Sequence, residues 1–286
     1  MTNKLSETKI VIAGANGFVG KNFRQFLNKR KIKFISISRK KYKPLKYETR
    51  RSTQYFLTNK NSKLLNCTAL VNLIGLGQQE NNSDLNDVNI GITKKIIELS
   101  KRSKIKKFVY ISGLGTSKNS KSNYFISKYN AERKIIESGL DYTILRGSYI
   151  IGKDDLLTKK LQRQIKKNKI IIPGSGKYKL QPISINDVCK IILFACQTKK
   201  LSKKILDLVG PEPITFERYV NLFNKKKNVN VKKIKLDQLF VTALTESNSE
   251  YGIEDLNLLV GNYTGNHKKL RKLTGIKFHR IDEFLN

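Results

Sequence analysis

The chain of 286 residues has no tryptophan, one methionine, two histidines, three cysteines and five prolines, and sets 22 acidic residues against 57 Lys and Arg. Each shortage excludes something. His267 and His279 both lie near the C-terminus, which leaves almost no material for a histidine metal site or a Ser-His-Asp triad, so no metal centre is expected. Cys67, Cys189 and Cys196 show no C-x-x-C spacing, and the last two share an apolar, helix-like run in which one buried face accounts for both. The longest apolar stretches, at 69–74 and 191–195, fall far short of the roughly 20 residues needed to span a bilayer. The first residues, Met1-Thr2-Asn3-Lys4, run into a strand-like segment without the apolar core of a secretion signal. A soluble, cytoplasmic chain is expected.

What is abundant is positive charge. A formal net charge of +35 invites a polyanion, because clustered Lys and Arg bind one by releasing its counterions. The basic residues are spread along the chain, however: Lys159, Lys160, Arg163, Lys166 and Lys167; Lys199, Lys200, Lys203 and Lys204; Lys225 to Lys227; Lys268, Lys269, Arg271 and Lys272. That spread, in a sequence rich in Lys, Ile and Asn, reads as a compositional bias. No nucleic-acid reader motif accompanies it, so no specific nucleic-acid partner is expected. An anionic membrane surface or an acidic protein partner is the alternative that the charge leaves open.

Strand-like and helix-like periods alternate over the first 150 residues, the pattern of βαβ units in a parallel sheet. Buried strands are expected at 9–13, 32–37, 69–74, 107–112 and 142–145, with a weaker third strand at 54–57. Helices are expected after the first strand, where Val19, Phe23, Phe26 and Leu27 share a face, and at 87–101 and 124–137. Beyond residue 150 the pattern loosens. A basic helix at 156–167 and the turn Pro173-Gly174-Ser175-Gly176 precede a strand at 183–185 that enters a capped helix. Another strand at 205–209 follows, then a helix capped by Thr215. The last 60 residues show no secure pattern. The expected organisation is a core over residues 1–150 with a smaller, interleaved C-terminal lobe over 151–286.

Between the first strand and first helix lies Gly14-Ala15-Asn16-Gly17-Phe18-Val19-Gly20. In that position the spacing has a mechanism. Gly14 allows the tight turn, Gly17 clears the approach of a pyrophosphate to the backbone, and Gly20 permits close helix–strand packing. The N–H groups that open the helix then face the phosphates. This predicts an α/β fold of the Rossmann type, a doubly wound parallel sheet with a smaller C-terminal substrate-side lobe, holding a nicotinamide dinucleotide. The second strand ends Ser36-Ile37-Ser38-Arg39-Lys40-Lys41, with no carboxylate for a ribose 2′-hydroxyl. Arg39, helped by Ser38 and Lys40, could instead fork onto a 2′-phosphate. NADP(H) is therefore favoured over NAD(H).

A second constellation, Tyr124 and Lys128, sits one helical turn apart where the helix after the fifth strand begins. An adjacent ammonium would draw the phenol toward neutral pKa and equip it for proton exchange with a carbonyl or alcohol. Tyr42 and Lys46 have the same spacing in a proline-containing loop, where it carries no such meaning.

Together these segments resemble the short-chain dehydrogenase/reductase superfamily in its extended and atypical branch. The likeness is to NAD-dependent epimerase/dehydratases and to the group around the nucleotide-binding accessory subunit of respiratory complex I. It is carried by GANGFVG at 14–20, VNLIG at 71–75, Asn89, FVYISGLG at 108–115, Tyr124 with Lys128, DYTILRGSYIIG at 141–152, QPISINDV at 181–188 and LVGPEPI at 208–214. The resemblance implies Tyr124 as acid/base and Lys128 on the nicotinamide ribose. It also implies cofactor contacts from Gly14, Asn16, Gly17, Phe18, Val19, Gly20, Gly75 and Asn89. The family polarises its substrate with the second of two hydroxyl residues after the fifth strand; here the pair is Ser112-Gly113, which leaves Ser112 as the candidate. Gly147 stands where relatives often carry proline, and no acidic residue near Leu57 and Thr58 matches the family's adenine-side carboxylate. The resemblance implies an NADP(H)-dependent oxidoreductase or epimerase/dehydratase acting on a small carbonyl or sugar-nucleotide substrate. The alternative is a non-catalytic dinucleotide-binding accessory or assembly subunit of a membrane-associated complex, or a redox sensor.

Overall fold

Short apolar runs separated by helical crossovers can only pair in parallel, and here they do. The computed structural model describes residues 9–59, 61, 63–75 and 84–285; the N-terminal segment Met1-Thr2-Asn3-Lys4 lies outside them. Strands β1 (Ile10–Ala13), β2 (Phe34–Ser38), β3 (Glu48–Ser52), β4 (Ala69–Asn72), β5 (Lys107–Gly113) and β6 (Asp141–Gly147) are interspersed with α1 (Phe18–Lys29), α2 (Thr53–Thr58), α3 (Ile92–Arg102) and α4 (Asn123–Glu137). A π-helical turn, Asp87–Gly91, leads into α3. Then come β7 (Ile150–Ile151), α5 (Leu156–Lys166), β8 (Lys169–Pro173), β9 (Lys179–Leu180), β10 (Ile183–Ser184), α6 (Ile185–Gln197) and β11 (Lys204–Leu208). The chain closes with β12 (Ile214–Thr215), α7 (Phe216–Asn224), β13 (Asn230–Ile234), α8 (Leu236–Thr245), α9 (Ile253–Leu259), α10 (His267–Thr274) and α11 (Asp282–Leu285).

Seven strands form one parallel sheet in the order β11-β6-β5-β4-β1-β2-β3. The order reverses at β1, between β2 and β4, so a crevice opens at the carboxyl ends of these strands. Helices cover both faces, and alternate residues of each strand serve opposite cores. Ile10, Ile12, Val71, Val109 and Leu206 pack with Phe23 and Leu27 of α1 and with Val188 and Ile192 of α6. Val11, Leu70, Phe108, Tyr110 and Ile144 pack with Ile96 and Leu99 of α3 and with Ala131 and Ile135 of α4. Cys189 and Cys196 are buried in α6, and Cys67 is buried as well.

A third core belongs to residues after 150, where Leu161, Ile172, Phe216, Tyr219, Leu239, Tyr251 and Leu256 come together. The parallel pair β8–β13 and the antiparallel pair β9–β12 lie in this part of the chain. Its caps follow from the sequence. Ser184 accepts from the Asn186 N–H at α6 and Thr215 from the Arg218 N–H at α7, each satisfying a donor with no helical partner. Buried Asp187 accepts from the His279 backbone N–H at 2.7 Å, tying the C-terminal segment to α6.

One strand lies elsewhere than expected. The third strand is ETRRS at 48–52, and residues 54–57 lie in α2 with Phe56 buried and Tyr55 exposed. β3 is the outermost strand and mostly solvent-facing, so it needs no apolar run to mark it.

Candidate active-site cleft

The turn after β1 is shaped by its missing side chains. Gly14 has φ +84°, and a Cβ there would meet the Leu73 carbonyl carbon at 2.7 Å, so the turn lies flush against the exit of β4. A Cβ on Gly20 would fall 2.3 Å from the Gly14 carbonyl oxygen, which lets α1 start hard against the turn. Gly17 differs. It is exposed, its nearest neighbour to a Cβ would be 3.6 Å away, and it caps α1 without a side chain. The space in front of it is open, and the N–H groups of Phe18, Val19 and Gly20 open the helix there. Asn16, Phe18 and Val19 are half-buried around this opening. The cradle fits a diphosphate: partial positive charge, free donors and no side chain in the way.

At the end of β2 the Ser38 hydroxyl bonds to the Lys40 carbonyl at 2.9 Å, within its own turn, while Arg39 and Lys40 project into solvent. Arg50 of β3 donates to the same carbonyl at 3.3 Å, adding a third cation. Beneath them lies a network that the sequence did not reveal. Glu48 is buried and accepts a bidentate pair from Arg24 at 2.8 and 2.8 Å, with further bonds from Ser36, the Leu45 N–H and the Tyr42 hydroxyl. Burial pushes the Glu48 carboxyl up, but these hydrogen bonds outweigh it and leave the group below the ordinary carboxylate range. That carboxylate is fully engaged and offers nothing to a ribose.

On the other side of the crevice Gly75, Asn89 and Lys128 converge. A Cβ on Gly75 would meet the Lys128 Nζ at 2.7 Å and the Asn89 Oδ1 at 3.0 Å. Asn89 donates to the Ser127 hydroxyl at 2.9 Å from the π-helical turn. Lys128 is buried and its Nζ donates to the Tyr110 hydroxyl at 3.2 Å and the Ile111 carbonyl at 3.3 Å. Burial lowers its pKa to about 8, against the opposing pull of Glu132.

The expected activation of Tyr124 is not what the structure displays. The Lys128 Nζ lies 5.8 Å from the Tyr124 ring centre and bonds elsewhere. Burial instead pushes the phenol up to about 12. Ser112, the candidate for polarising substrate, is buried and pairs with the Thr116 hydroxyl at 3.2 Å. At the neighbouring Gly113 a Cβ would strike the Phe125 ring at 2.7 Å. That ring packs between Tyr124 and Tyr263, with centroids 5.2 and 5.5 Å away. The pocket left here has a volume of ≈ 160 Å³ and is walled by Gly113, Tyr124, Phe125, Gly147, Tyr149 and Tyr263 among others, with no charged residue and without Ser112. A drug-sized ligand needs about 300–1,000 Å³. Phe125 and Tyr263 are the residues that motif reading missed: Phe125 stands inside the Tyr-x-x-x-Lys segment as an unremarked spacer, and Tyr263 arrives from a part of the chain without pattern. Among the described residues no three His, Cys, Asp or Glu side chains converge to hold a metal ion.

A parallel sheet reversing at β1, with a glycine cradle at the switch point, defines a Rossmann-type nucleotide-binding protein. Residues 10–208 match the NAD dependent epimerase/dehydratase family, and the chain belongs to that family. Among proteins of curated function it is similar to the mitochondrial NADH dehydrogenase (ubiquinone) 1 alpha subcomplex subunit 9 of Dictyostelium discoideum, 27% identical over 154 residues, or 54% of this chain and 42% of that one. The Arabidopsis thaliana protein of the same name is 29% identical over 149 residues, covering 51% and 37%. The chain's matching region thus spans about two-fifths of the length of these relatives. Among solved structures, a nucleoside-diphosphate-sugar epimerase from Staphylococcus aureus superposes with a TM-score of 0.76 at 17% identity, covering 97% of this chain and 99% of that one. A UDP-glucuronic acid 4-epimerase from Bacillus cereus, in complex with UDP-glucuronic acid and NAD, gives 0.74 at 17%, covering 97% and 96%. At such identity the likeness is one of fold.

Proposed function

We propose that this chain is an NADP(H)-binding member of the family that keeps the dinucleotide cradle, has lost turnover, and serves as an accessory or assembly subunit of a membrane-associated complex. The observation that carries the reading is the Phe125 ring against Gly113. It stands where the family's substrate-polarising hydroxyl would project, and it walls a pocket of ≈ 160 Å³ with no charged residue in its lining. The Lys128 ammonium, which would have to activate Tyr124, lies 5.8 Å from its ring centre and is held by the Tyr110 hydroxyl and the Ile111 carbonyl. The name shared by the curated relatives, a subunit of NADH dehydrogenase, supports the same reading. NADP(H) is assigned because Arg39 and Lys40 are exposed beside Arg50 while the buried carboxylate of Glu48 is spent on five donors.

The retained Tyr124 and Lys128 favour a second reading, an NADP(H)-dependent oxidoreductase or epimerase/dehydratase on a small carbonyl or sugar nucleotide. Titration calorimetry with NADPH and NADH tests the cofactor. Arg39→Asp is expected to weaken NADPH by about 10- to 100-fold, the worth of a charge-assisted forked pair, and NADH by less than about threefold. Equal losses would remove the 2′-phosphate assignment. Turnover is tested by nicotinamide absorbance with small aldehydes and, because epimerisation and dehydration return the cofactor to its starting state, by NMR of the sugar product with UDP-glucose; no change is expected in either. A substrate-dependent change that Tyr124→Phe abolishes would establish the second reading instead.

A further inference from the structure

The remaining unexplained feature lies at the opposite edge of the sheet. β11 is the terminal strand, four places from β1 in the sheet order, about 19 Å at the usual strand spacing. Its first residues face helix α10 across an open groove of ≈ 490 Å³ lined by Lys203, Lys204, Ile205, Lys269, Lys272 and Leu273. All four lysines are exposed, and Ile205 and Leu273 form a half-buried apolar floor. Lys199 and Lys200 add two more exposed cations in the preceding turn.

No carboxylate lines this groove. The nearby acids are occupied. Asp141 is held by the Lys107 ammonium at 3.2 Å and the Ser202 hydroxyl at 2.8 Å, and Asp207 accepts from the Asn266 N–H at 2.9 Å. The α10 sequence, HKKLRKLT, contains no acidic residue, so its lysines find no counter-charge along their own helix either. Some exposed lysines elsewhere do find a carboxylate: Lys233 pairs with Glu217 at 2.7 Å and Lys134 with Glu137 at 3.0 Å.

We infer that the β11–α10 groove is a docking site for an acidic, extended segment of a partner protein. Four converging cations without a counter-charge lower their mutual repulsion when carboxylates enter between them. The apolar floor at Ile205 and Leu273 selects a segment with one apolar side chain flanked by Asp or Glu. Concavity favours a chain over a bilayer, because interfacial binding needs apolar side chains that project outward. The site is independent of the dinucleotide cradle, so its failure leaves the proposed function untouched.

The test uses the full-length chain and a fluorescent Glu/Asp-rich peptide with one central Leu, at roughly physiological ionic strength. A Gln/Asn counterpart and vesicles of phosphatidylglycerol and phosphatidylcholine serve as competing probes. Lys269→Glu with Lys272→Glu is compared with Lys225→Glu with Lys226→Glu, an equal charge change on exposed lysines outside the groove. The expected result is a loss of at least about tenfold in peptide affinity for the groove variant and less than about twofold for the control, since the reversal puts two like charges against the peptide's carboxylates. Lys269→Gln with Lys272→Gln should give an intermediate loss. Equal losses in both reversals, undiminished binding of the Gln/Asn peptide, or vesicle binding that the groove reversal abolishes while peptide binding persists would each overturn the proposal.

Discussion

The two walls of the cleft are built on different principles. The phosphate side is made of backbone: three glycines set the turn, and what they offer a ligand is N–H groups and empty space. The reacting side is made of side chains, where Phe125, Tyr124, Lys128 and Tyr263 compete for room. At Gly14 and Gly20 this geometry leaves no room for a Cβ, so it persists wherever the fold does. A side-chain constellation can lose one member while the others remain packed. On the proposed reading Gly113 with Phe125 is such a case, and a Tyr-x-x-x-Lys spacing by itself is then evidence of ancestry before it is evidence of chemistry.

The sharpest way to separate the walls is to add one methyl group at a time. Gly20→Ala forces a Cβ into the Gly14 carbonyl oxygen at 2.3 Å and should cost more than about 4 kcal/mol, the range reserved for steric breakage of a core. Gly17→Ala, with nothing nearer than 3.6 Å, should stay within about 1 kcal/mol of wild type yet lose dinucleotide binding. Denaturant melts and calorimetry on both variants check this. If Gly17→Ala still binds NADPH at full affinity, the cradle is not where the diphosphate lies.

The next effect comes from Lys128. Its pKa is lowered to about 8 by burial, against about 10.4 in an unfolded chain. The unfolded state therefore binds more proton between these values, and stability rises as pH climbs through that window. Below pH 8 the full penalty is present. Lys128→Met should raise stability at pH 7 by about 2–3 kcal/mol, an advantage that shrinks to nothing near pH 10. Thermal melts across that range would show it, and a pH-independent difference would contradict the burial argument.

The smallest effect sharpens the reacting wall itself. Gly113→Ser should cost about 1–3 kcal/mol by overpacking against Phe125, and Phe125→Ala in the same chain should recover part of it. A double-mutant cycle in denaturant with strictly additive losses would dismiss the Phe125 contact as the reason for glycine at this position.

How much of this was legible in the sequence depends on the range of the forces involved. The strands at 10–13, 69–72, 107–113 and 141–147 could be read because burial on both faces writes continuous apolar runs. The cradle could be read because the glycine spacing follows from local backbone geometry. β3 could not: an outer strand reading ETRRS is polar on its exposed positions, and the weak strand expected at 54–57 falls on residues that are helical. The Glu48 network joins four separate elements of side chains, and the contact of Phe125 with Tyr263 spans well over a hundred residues. Neither leaves any periodic trace. The helix at 156–166, the strand at 204–208 and the helix capped by Thr215 could be read, but the last 60 residues could not, because helices such as α8 and α9 are short and present apolar faces only one or two turns long.

The Arg146–Glu132 fork, at 3.0 and 2.6 Å, has a consequence for the cleft. Glu132 sits one turn beyond Lys128 and would be its natural counter-ion, but both its oxygens are committed to a guanidinium on β6. Lys128 is left as a cation held in place by a phenol and a carbonyl, neither of which carries negative charge. An anionic or hydroxyl ligand that accepts a bond from this ammonium favours its charged form, so docking at a pH somewhat above 8 is expected to draw protons from the buffer. Occupancy would thus be felt as alkali released to the surroundings, a signal that needs no chemical turnover at all.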